Sequence, residues 1–101
     1  MKTMKDYNGR VVILENGDLA EGTYFVEDWI LRYKDGLLNN EKGENGEVLP
    51  AVEKTDGTHY EYFENGKLHR ENEPAIIDLL DDVEEWWLNG NQVRSPSGRN
   101  G

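Results

Sequence analysis

Short apolar or aromatic runs alternate along the chain with turn pairs: Asn8-Gly9, Asn16-Gly17, Asp35-Gly36, Asn45-Gly46, Asp56-Gly57, Asn65-Gly66 and Asn89-Gly90. Each pair accepts the positive φ angles of a type I′ turn, and the β-branched or aromatic flanks make the combination a hairpin signal. The pattern predicts a β-rich chain of short strands. One stretch fits a second period. In PAIIDLLDDVEEWWLNG, residues 74–90, Ile76, Leu80, Val83 and Trp87 fall on one helical face, Pro74 suits a first helical position and Gly90 a cap.

Self-similarity favours the hairpin there. PAVEKTDGTHYEYFENG at 50–66 lies over residues 74–90 without a gap: Pro50 on Pro74, Ala51 on Ala75, Val52 on Ile76, Glu61 on Glu85, Tyr62-Phe63 on Trp86-Trp87, Asn65-Gly66 on Asn89-Gly90. The first copy has Thr55-Asp56-Gly57-Thr58 at its centre, a turn that opposes a helix. By analogy Ala75 to Asp78 is a strand, Leu79 to Asp82 turns and Val83 to Leu88 returns; because Leu79-Leu80-Asp81 lacks the Asp-Gly pair, a local helix stays as the alternative. The unit extends further. Tyr33-Lys34-Asp35-Gly36, Phe63-Glu64-Asn65-Gly66 and Trp87-Leu88-Asn89-Gly90 are followed at equal distances by Asn40, Arg70 and Arg94, with a weaker copy at Leu14-Glu15-Asn16-Gly17. Six more residues separate Gly36 from Pro50 than Gly66 from Pro74, so an extended loop is expected on one edge.

Composition narrows the function classes. A chain of 101 residues suits one domain, and three Trp, five Tyr and two Phe supply much of what can be buried. The formal charge of −10 repels phosphates and anionic membrane surfaces, which excludes direct nucleic-acid binding and favours a basic partner. The absence of cysteine excludes disulfides, thiolate metal sites and cysteine nucleophiles. MKTMKDY precedes no apolar run suited to a signal peptide, and no stretch approaches the ~20 apolar residues of a membrane span, so a cytoplasmic location is expected. Residues 95–101, SPSGRNG, have no apolar anchor and are expected to form a flexible tail after a single domain at 1–94.

Catalytic constellations are sparse. His59 and His69 lack metal-ligand spacing. The only serines, Ser95 and Ser97, lie in the tail, where a triad cannot be held to its ~0.5 Å tolerance. Glu61 and Glu85 could share acid–base work and Asp81, Asp82, Glu84 and Glu85 could gather Ca²⁺ weakly, but so acidic a chain places carboxylates together by chance and carries no EF-hand loop. No enzyme activity, metal or cofactor is expected.

The aromatics and acids say more. Tyr33, Phe63 and Trp87 share one repeat position and are expected to stack in the core. Arg32, Tyr62 and Trp86 precede them and point to the other face, which is either a partly wet partner-facing patch or a second layer covered by an N-terminal hairpin, Val11 to Trp29. Nine acids between Glu61 and Glu85 face only Lys67 and Arg70. Displayed on hairpins, they form a rigid anionic surface able to enter a basic nucleic-acid groove, or a merely solubilising one. The candidate partner-binding residues are Glu61, Tyr62, Glu64, Glu71, Glu73, Asp78, Asp81, Asp82, Glu84, Glu85 and Trp86.

EYFENGKLHRENEPAI with EEWWLNGNQVR resembles an aromatic, Asn-Gly-Lys, x-His-Arg, Gly-Pro-Ala repeat of bacterial and phage proteins, similar in layout to MORN-type hairpin units. Glu73 stands where that pattern has Gly, and only the copy containing His69 carries the His. The resemblance implies architecture and interaction rather than catalysis, with His69 and Arg70 fastening one hairpin to the next. In size and charge the chain also resembles small acidic phage inhibitors, anti-CRISPR proteins among them. The fold expected is mainly β, consecutive antiparallel hairpins in a twisted sheet or half-open roll with at most one short helix. The function expected is a non-enzymatic acidic inhibitor of a basic, nucleic-acid-handling protein or ribonucleoprotein, in the cytoplasm of a bacterial host if phage-encoded. The alternative is a MORN-like scaffold assembling through aromatics. Exposed edges at the first and last hairpins admit a monomer or a homodimer.

Overall fold

The computed structural model describes residues 12–94; Asn8-Gly9, Val11 and the 95–101 tail lie outside them. Within that range the chain forms β1 (Gly22–Val26), β2 (Trp29–Lys34), β3 (Leu37–Leu38), β4 (Glu41–Lys42), β5 (Val48–Leu49), β6 (Val52–Lys54), β7 (His59–Glu61), β8 (Phe63–Glu64), β9 (Lys67–Leu68), β10 (Ile76–Asp78), β11 (Val83–Leu88) and β12 (Asn91–Val93). No helix occurs among the described residues, so none there is long and apolar enough to cross a membrane.

Three hairpins, β1–β2, β6–β7 and β10–β11, lie side by side in one antiparallel meander, with β12 beyond β11 and β3 on the second half of β2. Residues 74–90 are therefore a hairpin, with Ile76 opposite Glu85, Ile77 opposite Glu84 and Asp78 opposite Val83. The helical spacing loses because β10 has partners on both sides. Ile76, Ile77 and Asp78 also pair with Glu61, Tyr60 and His59, and each of these ladder bonds would be lost in a helix. The loop inserted between Gly36 and Pro50 forms its own two-stranded hairpin, β4–β5.

The turn pairs fall into two classes. Asp35-Gly36, Asn65-Gly66 and Asn89-Gly90 have positive φ at both residues, near 51° and 82°, as a type I′ turn requires. At Asn16-Gly17, Asn45-Gly46 and Asp56-Gly57 only the glycine is positive, and its N–H donates three residues back, to Leu14, Gly43 and Lys54. The expectation of a type I′ turn at every pair thus holds for three of the described six; the others close longer loops in which only the last residue is left-handed.

The three two-residue turns join one unit to the next. Gly36, Gly66 and Gly90 donate N–H bonds of 2.8–2.9 Å to the carbonyls of Ala20, Leu38 and Leu68. Their left-handed neighbours Asp35, Asn65 and Asn89 donate to Glu21 Oε1, Asn39 Oδ1 and His69 Nδ1 at 2.8–2.9 Å. Each unit carries one acceptor side chain for the turn of the unit after it. His69 fills that role by sequence position as well as by bonding, as expected.

The core lies on one face of the meander. Directly opposed residues share a face, so Tyr24, Leu31, Val52, Glu61, Ile76 and Glu85 form one row across six strands. Leu31 and Val52 join Ala20, Tyr33, Leu38, Ala51 and Phe63 in the buried cluster. Tyr33 and Phe63 are core, as expected, whereas Trp87 is only half-buried. The cause is positional: Leu38 and Leu68, whose carbonyls receive the next turn, correspond to Gln92 in the last unit, where the stack ends.

The opposite face carries Arg32, Tyr62 and Trp86; of its two expected readings, a partly wet patch fails at Arg32 and Tyr62, which are buried, while Trp86 is half-buried. Arg32 is buried, bonding the carbonyl of Pro50 at 2.7 Å and Glu53 at 2.8 Å. In the next unit the guanidinium comes from the linker instead: Arg70 lies 3.8 Å above the Tyr62 ring and bonds the Pro74 carbonyl at 3.2 Å and Glu73 at 2.9 Å. The exchange of Arg32 and Asn40 for Tyr62 and Arg70 keeps a cation at each proline that opens a new unit. Residues 12–29, the described part of the expected N-terminal hairpin, do not cover this face as a second layer: β1 is an edge strand of the same sheet among the described residues, and Val12 and Leu14 pack against the core.

Candidate protein-binding surface

The residues expected to form one acidic patch are divided among four places. Glu61, Asp78 and Glu85 lie on the core side of the meander; Tyr62, Glu71, Glu73, Glu84 and Trp86 lie on or beside the outer side; Asp81 and Asp82 sit in the tip of the third hairpin; Glu64 adjoins the Asn65-Gly66 turn at the opposite end. Glu61, 5% exposed, and Tyr62, 8% exposed, are corrections to the expected binding set. Glu61 faces the centre of the core row, and Arg70 covers Tyr62, so neither is open to a partner.

Glu61 belongs instead to a clamp across two hairpins. His59 Nε2 is 2.6 Å from Glu61 Oε2 and His59 Nδ1 is 2.8 Å from Asp78 Oδ2, while the ring meets Trp29 edge-on at 5.6 Å. The ring stands between two carboxylates, one of them buried, with one nitrogen within bonding distance of each. Asp78 also accepts the Asp81 N–H at 2.9 Å; that bond first, and His59 second, hold its carboxyl below the usual aspartate range. The same strands tie together the tip that carries Asp81 and Asp82. Both histidines thus have bonded structural roles, and no group of three His, Asp or Glu side chains is arranged to hold a metal ion among the described residues.

The surface brought together by the fold is a rim. In an antiparallel meander all three hairpin tips emerge on one edge, here Glu27-Asp28, Thr55–Thr58 and Leu79–Asp82, with neighbouring tips roughly 10 Å apart, two strand spacings. Backbone bonds stitch them: Thr55 N–H to the Asp28 carbonyl and Leu79 N–H to the Thr58 carbonyl, both 2.8 Å. Glu27, Asp28, Asp56, Asp81 and Asp82 are all exposed along it. Asp56 is oriented by the Thr58 hydroxyl at 2.6 Å, which also holds its carboxyl below the ordinary value.

Two features of the rim work against local stability. Glu27 sits at φ 55°, where glycine or asparagine is the favoured residue and a longer side chain carries strain. Leu79 and Leu80 are 63% and 73% exposed in a turn, where their apolar surface contributes nothing to the core. Glu27, Asp28, Asp56, Leu79 and Leu80 lie outside the sequence-expected set, which took Leu79 and Leu80 only as turn residues. The repeat register held the missing signal, since it places the centres of all three hairpins on one edge.

The chain carries twenty-one acids against eleven Lys or Arg, a formal charge of −10. A field of that size extends across the rim and steers cations toward it. No protein-family model matches the chain, and no curated protein or solved structure matches it.

Proposed function

We propose that this protein is a non-enzymatic acidic binding module whose hairpin-tip rim docks on a basic, nucleic-acid-handling partner and inhibits it by occupying its phosphate-contact surface. The observation that carries the reading is the joint exposure of Leu79 and Leu80 beside Asp81 and Asp82 on a rim already lined by Glu27, Asp28 and Asp56. The equivalent centre of the preceding hairpin, Thr55-Asp56-Gly57-Thr58, shows the polar turn chemistry that suits such a position. Two exposed leucines among carboxylates favour a partner offering apolar contacts inside a cationic surround, in keeping with interfaces that have an apolar centre and a charged rim. A short stitched ribbon holds the carboxylates with less freedom than a coil, which lowers the entropic cost of docking.

Affinity capture from the native host lysate at low and moderate salt tests this, followed by displacement of labelled nucleic acid from the captured protein. The expected partner is basic, releases its nucleic acid when this protein binds, and is lost as salt screens the rim. Leu79→Ser/Leu80→Ser and Asp81→Asn/Asp82→Asn should each weaken capture. A salt-insensitive complex, or one indifferent to both double variants, removes the rim from the interface.

A further inference from the structure

Beneath the rim, one row of the outer sheet face is left open by the described residues. Phe25, Ile30, Glu53, Tyr60, Ile77 and Glu84 are directly opposed across β1, β2, β6, β7, β10 and β11, so their side chains share the face opposite the core. The next row, Arg32 with Tyr62, is sealed by Arg70 and by the linkers at Pro50 and Pro74, and the inserted hairpin reaches the same side where Thr23 donates to Glu41. The linkers stop short of the open row. Phe25 is 73% exposed, Ile30, Tyr60 and Ile77 are half-buried, and the row runs into the tip that carries Leu79.

We infer that this row is a second docking surface, occupied by a basic segment of the partner whose apolar side chains cover Phe25, Ile30, Tyr60 and Ile77; the inference rests on the partner being basic, as proposed above. Charge decides the occupant. The two arginines bordering the row are already engaged, Arg32 with Glu53 at 2.8 Å and Arg70 with Glu73 at 2.9 Å. Among the described residues neither Lys nor Arg pairs with Glu84, so an incoming cation has an exposed carboxylate at the end of the row. A second copy of the chain would bring its own net charge of −10 against the same face, and like charge opposes that pairing. Six strands at about 4.8 Å make a row of about 24 Å, enough for roughly seven extended residues.

Two probes of equal charge separate the contributions: peptides of about ten residues alternating Lys with Phe or Leu, and alternating Lys with Ser. Phe25→Ser is the variant of choice because so exposed a side chain contributes little to the fold, and Ile77→Thr gives a second, β-compatible change with thermal melting as its control. The Lys-Phe/Leu peptide should bind about tenfold or more tightly than the Lys-Ser peptide, in proportion to the apolar area it covers, and Phe25→Ser should erase most of that difference while Lys-Ser binding stays the same. In nuclear magnetic resonance titrations the amides of β1, β2, β7 and β10 should move with the first peptide and only the tips with the second. Equal binding of the two peptides, unchanged by both variants, overturns the outer-face site and leaves the acidic rim standing. Binding of neither peptide overturns both. A Gln-Phe/Leu peptide that binds as well as the Lys-Phe/Leu peptide rejects a cationic occupant, and a wild-type dimer dissolved by Phe25→Ser assigns the face to a second copy instead.

Discussion

His59 bonds Glu61 at 2.6 Å and Asp78 at 2.8 Å, so it joins the second hairpin to the third through a carboxylate set among Leu31, Val52 and Ile76. His59→Val removes the bonded ring and keeps a residue the repeat already uses, since Val83 occupies the equivalent position in the last unit. Depriving a buried carboxylate of its bonded partner costs roughly 3–5 kcal/mol because its charge stays desolvated. With part of the His59 ring reachable by water, we expect the lower end, about 3 kcal/mol, and for a domain of this size a fall in Tm of roughly 15 °C. Adding Glu61→Leu should recover most of the loss: the first unit has Leu31 at that position, and an apolar replacement of a buried pair is commonly neutral. Urea unfolding of wild type, both single variants and the double variant gives the coupling energy. A His59→Val cost below about 1 kcal/mol, with no coupling to Glu61→Leu, would refute the clamp.

Other outcomes follow from the same bonds. His69→Ala should cost about 1–3 kcal/mol in urea unfolding by removing the acceptor of the Asn89 N–H, while His69→Asn should recover much of it, because Asn39 does the same work for Asn65. Asp56 and Asp78 both have carboxyls held below their ordinary value, so the stability they contribute is present above the unfolded aspartate range and lost as pH falls through the folded values; acid unfolding below roughly pH 4 should begin earlier in Thr58→Val, which lacks the hydroxyl bonded to Asp56. Glu27→Gly should raise stability by about 1 kcal/mol by relieving a left-handed side chain, while weakening capture of a basic partner at low salt. No gain in stability would mean that Glu27 is unstrained.

Local chemistry determined much of the architecture. The six described Asn-Gly and Asp-Gly pairs all lie in turns, because only a few residue types tolerate the left-handed backbone that reversal needs. The gapless match of 50–66 to 74–90 set the third hairpin to its observed strands, since a repeated unit meets the same neighbours in each copy. His69 was legible as a fastener for a related reason: its spacing from the turn is that of Asn39.

Tertiary structure alone decided which side chains were hidden. A period of two assigned Glu61 and Tyr62 to opposite faces but could not say that both faces were covered there, one by the core and one by a guanidinium from a linker. Nor could it join His59 to Asp78, nineteen residues away, because that contact exists only when β7 and β10 share a ladder. The rim has the same origin. Glu27, Asp56 and Asp81 are distant in sequence and become neighbours because strands pair at a fixed spacing and every second reversal of a meander emerges on the same edge.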